Sequence, residues 1–176
     1  MKFAVILSLL SLGSIFSIAQ STSFIRLNPV KLSATNKSQL AESLHEKHAR
    51  YDSTEMMLTR NISEYNYHTD ALSGNFHDVR TSLQYAVQLM DLGEEKLRQR
   101  AFDVIKACIA LQDTTESSRT RGIWPYFKEE PLVTKKSPPD FNWADFNGVS
   151  LLEIWTGHYD ELTDSLRAVI RESLVL

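Results

Sequence analysis

Two apolar stripes joined by a single glycine turn decide most of what this chain can fold into. Val79, Leu83, Val87 and Met90 recur at helical spacing, and Leu97, Ala101, Val104, Ile105, Cys108 and Leu111 do so again. One face of a helix returns every 3.6 residues, so each run predicts an amphipathic helix with one buried side. Asp91-Leu92-Gly93 leaves room only for a tight turn between them, so the pair must fold back as an antiparallel hairpin. Asp78 stands just ahead of the first stripe, where a carboxylate can cap free helix N–H groups.

The flanking sequence predicts more helix. Leu40, Ala41, Leu44 and Tyr51 fall near helical spacing from Ser38 onward, and the expected helix runs to about Arg60 with an interruption at Ser53 and Thr54. The following stretch, NISEYNYHTDALSGNFHDVR, is rich in Asn, Ser and Gly and reads as a loop with helix-start signals at its end. Asp113 to Arg121 is a polar connection. Pro138-Pro139 forbids a helix, after which Asn142 is the expected N-cap with Asp145 at the N3 position. Phe146, Val149, Leu152 and Ile154 or Trp155 form another stripe ended by Gly157. A last helix starts at Thr163 or Asp164 and carries Leu166, Val169 and Ile170. No run alternates long enough to read as a strand, so the expected class is all-α: antiparallel helical hairpins with one long loop rich in aromatics and proline.

The N-terminus reads as an export signal. Lys2 precedes an apolar run from Phe3 to Ile18, and Ser17 and Ala19 occupy the small-residue positions of a cleavage site, leaving Gln20 as the new N-terminus. The run is short for a membrane span, so residues 1–19 are expected to be a cleaved signal peptide, with a retained anchor as the alternative. The expected location is secreted, periplasmic or cell-surface, with no membrane association after cleavage. Residues 20–37 read as an extended lead-in and residues 38–176 as one helical domain. The formal charge of -3 and the absence of a basic stripe exclude an electrostatic nucleic-acid binder. Cys108 is the single cysteine and lies in VIKACIAL, which reads as a buried small hydrophobe. Asn36 and Asn61 each head an N-x-S acceptor tripeptide.

Few residues offer chemistry. His45-Glu46-Lys47-His48 is one residue short of a zinc-protease helix and supplies no third ligand, so a solvated charged face is the better reading. Asp113, Glu116 and nearby hydroxyls lack the spacing of a calcium loop and read as a polar turn. No metal site and no cofactor is expected. Asn75-Phe76-His77-Asp78 stands at a helix N-terminus, where His77 and Asp78 could act as acid and base, or Asp78 could simply cap. Between Gly122 and Trp155 lie all three tryptophans and four of the five prolines. Sugar rings want flat aromatics to stack on and carboxylates or amides for their hydroxyls. Trp124, Tyr126 and Trp143 with Asn142 are therefore the candidate binding residues, and Asp145 joins His77 and Asp78 as a candidate acid–base group. Trp124 and Trp143 could equally fill a core beneath the loop, and Trp155 falls within a helical stripe and reads as core.

Three motifs carry a family resemblance: NFHDVR at 75–80, GIWPYF at 122–127 and PPDFNWADF at 138–146. Over roughly residues 65–170 the chain resembles uncharacterised proteins of the six-hairpin glycosidase-like superfamily, the (α/α) toroids. The resemblance implies a carbohydrate-active protein, hydrolase-like or lyase-like, with its site where inter-helix loops converge and with carbohydrate as partner. A full toroid needs about twelve helices and the pattern here supplies five or six. The expectation is an N-terminal portion, inactive alone, that self-associates through exposed apolar helix faces. A non-catalytic glycan-binding or structural domain is the alternative.

Overall fold

The computed structural model describes residues 31–63 and 69–176, so the expected signal peptide and most of the expected lead-in lie outside the described residues. The expected hairpin is present. Helix α3 (Val79–Leu92) and helix α4 (Glu95–Ile109) are joined at Gly93, whose φ of 69° closes α3 in the left-handed conformation that glycine adopts without strain. Their facing sides bury Leu83, Ala86 and Leu89 against Ala101, Val104, Ile105 and Cys108. Burial raises the Cys108 thiol pKa, so this cysteine behaves as a small core hydrophobe.

The chain is not all-α. Helix α1 (Ala34–Ser43), capped by Ser33, and the short α2 (His45–Ala49) stop before Arg50, where helix to about Arg60, interrupted at Ser53 and Thr54, was expected. The backbone then forms an antiparallel sheet of β1 (Tyr51–Asp52), β2 (Met57–Ile62) and β3 (Gly74–His77), in that order. The Asp52 carboxylate breaks the helix by accepting the Thr54 and Glu55 amides at 2.7 and 3.3 Å, an Asx turn that competes with helical hydrogen bonding. Met56 completes the reversal at φ 55°. Beyond it Met57 and Leu58 are buried, and Thr59 and Arg60 pair with His77 and Phe76 of β3. NFHD, expected as loop, is thus the strand that leads into α3. The fold is mixed, mainly helical with a small sheet across the N-terminal end of α3.

Helix α5 (Asn142–Gly157) packs along α3, and α6 (Asp164–Leu174), capped by Thr163, closes against α4 and α5. The N-cap position of α5 is Phe141 rather than Asn142, and the helix start is held by the Asp140 carboxylate, which accepts the Asn142 amide at 3.0 Å. Trp124 is 2% exposed, and Trp155 also joins the main core; the Trp124 indole donates to the Cys108 carbonyl at 3.1 Å. Gln112 ties this corner together. It donates to the Gly122 and Ser173 carbonyls at 3.0 and 3.1 Å and accepts the Ser173 hydroxyl at 2.6 Å.

After α5, His158 clamps the turn, with Nε2 2.9 Å from Asp91 of α3 and Nδ1 2.9 Å from Glu161. Burial works against the imidazolium, but the two carboxylates outweigh it and raise the His158 pKa above its ordinary 6.5. A raised native pKa stabilises the fold fully below about pH 6.5 and loses that contribution as pH rises through the native value. His158→Gln is therefore expected to flatten the fall in urea-unfolding midpoint between about pH 6 and 9. Parallel wild-type and variant profiles would show that the clamp does not titrate in this range.

Candidate functional site

The aromatic segment folds onto the NFHD strand. Phe127 bridges to Asp78, the Lys128 amide donates to the His77 carbonyl at 3.0 Å, and the Val79 amide reaches the Tyr126 carbonyl at 3.3 Å. Residues 126–128 thus continue the sheet beyond β3, which sets Tyr126 and Glu129 beside His77 and Asp78.

Asp78 is spent on structure. It is 2% exposed, caps α3 by accepting the Thr81 amide at 2.8 Å, and pairs with Arg60 at 3.2 Å. His77 is also fully engaged. Glu129 receives its Nδ1 at 2.5 Å and its backbone amide at 3.0 Å, while Nε2 faces Asp52 at 3.3 Å. Burial acts to raise the Glu129 pKa, but the hydrogen bonds from His77 prevail and hold it below the carboxylate norm. The Thr54 amide, supported by the His77 ring, does the same for Asp52. With a carboxylate against each nitrogen, the imidazole has neither nitrogen directed at a substrate. Lys128 and Glu55 close the cluster with an ion pair.

Tyr126 and Trp143 meet as a plate. Their rings stack at 5.5 Å and 30°, Arg60 donates to the Tyr126 hydroxyl at 2.7 Å, and Lys135 Nζ lies 5.7 Å from the Trp143 ring. Trp143 is 3% exposed, so it forms the plate's buried layer and offers no open stacking face. The long loop above it is pinned by carboxylates. Glu130 accepts the Asp70 amide at 2.6 Å and the Thr69 hydroxyl, and Asp70 accepts the Lys136 and Ser137 amides at 2.7 and 2.9 Å.

Against this plate lies a pocket of about 110 Å³ lined by Arg80, Pro125, Tyr126, Asp140, Trp143, Phe146 and Asn147. The Arg80 guanidinium rests 4.1 Å over the Phe146 ring. Asn147 is 2% exposed; its Nδ2 donates to the Trp143 carbonyl at 2.7 Å, and its Oδ1 has no hydrogen-bond donor. Buried acceptors are nearly always satisfied, so this atom, without a donor among the described residues, has room for one from a ligand.

The expected site residues divide. His77, Asp78, Tyr126 and Trp143 gather on this side, and Trp124 goes into the core. Asn142 is exposed at the start of α5. Asp145 lies on the opposite face of α5, in an apolar groove of about 470 Å³ with Gly122, Trp124, Gly148, Val149 and Leu152. Exposed Val149 and Leu152 make that face of α5 apolar as well. Arg80, Glu129 and Asn147 escaped sequence reasoning, whereas Asp140 stands out beside the aromatics of its segment. Arg80 and Asp140 lie within the quoted motifs, whereas Asn147 reads only as a polar residue in a helical stripe.

The other polar clusters serve the scaffold. The Ser118 and Thr120 hydroxyls hold the Asp113 pKa down to about 2 and close the turn once compared with a calcium loop. His48 turns inward to the Tyr85 hydroxyl at 2.7 Å instead of lying on a solvated face, and Lys47 reaches Gln88. Burial and the neighbouring Arg100 lower the His48 pKa.

Residues 37–176 match a family described as a domain of unknown function, DUF8769, and the chain belongs to that family. No curated protein and no solved structure matches the chain.

Because Trp143 is buried in the plate, Trp143→Ala should destabilise the domain by about 3–5 kcal/mol in urea unfolding. A loss under about 1 kcal/mol would mean that the ring is not packed as described.

Proposed function

We propose that this domain is a non-catalytic saccharide-binding module of an exported protein, and that it receives a sugar ring in the Arg80–Asn147 pocket. The observation that carries the reading is the composition of that pocket: aromatic walls from Tyr126 and Phe146, rim groups from Arg80 and Asp140, and the unpartnered Asn147 Oδ1. A pyranose presents apolar C–H faces and hydroxyl donors at its edge, which answer those two kinds of surface. A volume near 110 Å³ is well below the ~300–1,000 Å³ of sites that enclose a ligand, so one ring is gripped while the rest of a glycan stays in water.

The family resemblance supports the same place. NFHDVR supplies Arg80, GIWPYF supplies Pro125 and Tyr126, and PPDFNWADF supplies Asp140, Trp143 and Phe146. Asn147 follows immediately. The three motifs, distant in sequence, line one pocket. Catalysis is the weaker reading because Asp145 faces a separate groove, Asp78 is a buried cap and both His77 nitrogens face carboxylates.

Calorimetric titration of the purified domain with soluble oligosaccharides of several classes tests the assignment. Binding is expected at the micromolar-to-millimolar affinity of a one-ring contact. Asn147→Leu should abolish it, and a cooperative unfolding transition would show that the variant stays folded despite losing the bond from Nδ2 to the Trp143 carbonyl. Absence of binding to every class, or binding indifferent to Asn147, would overturn the proposal, as would release of new reducing or unsaturated ends by the wild type.

A further inference from the structure

We infer that the pocket selects an acidic sugar, a hexuronate unit carrying a free carboxylate, and that Arg80 is its specificity-determining residue. The inference rests on the saccharide-binding reading and goes on to name the class of sugar.

The argument begins with an arginine in an unfavourable position. Arg80 is the second residue of α3, in the first turn, where free N–H groups and the helix dipole already present positive charge. A cation there works against the helix dipole, and acidic residues are the ones that first turns prefer. Nothing nearby offsets it as an ion pair. Among the described residues no carboxylate pairs with Arg80, and Asp78, the nearest acid in sequence, is already committed to Arg60 and the Thr81 amide. The one contact that orients the guanidinium is the Phe146 ring beneath it. Stacking holds the planar group by its face and leaves its N–H fork directed outward at its edge.

The pocket therefore presents three demands at once. The Arg80 fork matches a planar carboxylate, which it can bind in bidentate fashion. Asn147 Oδ1, without a partner among the described residues, requires a donor. The aromatic walls favour an apolar ring face. A hexuronate meets all three, with a carboxylate at C5, hydroxyl donors around the ring and C–H bonds on its faces. A neutral hexose leaves the fork opposite a hydroxymethyl group, and an amino sugar brings its ammonium up to Arg80. The positive end of α3 adds to the attraction for the carboxylate.

A pair of probes identical except in charge tests this: trigalacturonate and its fully methyl-esterified form, titrated into the full domain in low salt, with a sulfated galactan fragment and a neutral galactan fragment as further arms. The acid is expected to bind at least about tenfold tighter than the ester, the difference expected of a charge-assisted fork. Arg80→Gln should bring acid and ester to equal affinity with the fold intact, while Arg80→Lys, which keeps the charge and loses the fork, should retain only part of the preference. Equal wild-type affinity for acid and ester, or a preference untouched by Arg80→Gln, overturns the inference and leaves saccharide binding standing. Sulfated galactan binding more tightly than trigalacturonate also overturns it, in favour of a tetrahedral anion. Failure of all four probes to bind removes the saccharide reading itself.

Discussion

Asp78 is the point at which the parts of this domain are joined. Its amide bonds to Leu58 of β2, its carbonyl accepts the Ser82 hydroxyl at 2.6 Å, and its carboxylate caps α3 and pairs with Arg60. Ser82 in turn accepts the Leu58 amide at 2.8 Å, so strand and helix are stitched in both directions. Phe127 bridges to the same residue from the aromatic segment. A buried carboxylate is tolerable because the Thr81 amide and the half-exposed Arg60 both bond to it, and removing it would orphan donors on two elements at once. The positions of Arg60, Tyr126 and Arg80 all follow from that junction.

The aromatic segment is the second consequence. Its rings do two jobs that its sequence does not separate. Trp124 and Trp155 enter the main core, where area and close packing matter, and Phe127 fills a smaller core with Ile62 and Ala71. Tyr126 and Trp143 make a plate whose outer edge borders water. Cations from both sides, Arg60 and Lys135, lie against that plate, and Arg80 lies on Phe146 beside it. Aromatic rings here orient guanidinium and ammonium groups as much as they exclude water. Beside the pocket, the Phe146 ring orients the Arg80 guanidinium by its face.

Helix α5 shows why two hollows on one helix have different characters. Trp143, Phe146 and Asn147 point one way and line the polar pocket, while Asp145, Gly148, Val149 and Leu152 point the other and line an apolar groove. The helical repeat sends residues two apart to nearly opposite sides. A carboxylate at 145 and a histidine at 77 therefore looked like partners on paper and are separated in space.

Local periodicity made α3, α4 and the last helix legible, set Cys108 on the apolar stripe of α4, and with Gly93 marked the turn between α3 and α4. The sheet was not legible. Tyr51–Asp52 and Gly74–His77 are too short to alternate visibly, and Asp52 ends the preceding helix through a turn that propensity alone does not weigh. The site was half legible for the same reason. Aromatics and acids stand out by composition, so Tyr126, Trp143 and the NFHD turn were visible as candidates. Which tryptophans are buried, which carboxylates are consumed as caps, and that Arg80 and Asn147 share a pocket are long-range facts. They were decided only when residues far apart in the chain came together around Asp78, since burial and pairing belong to the neighbours a side chain acquires and not to the side chain itself.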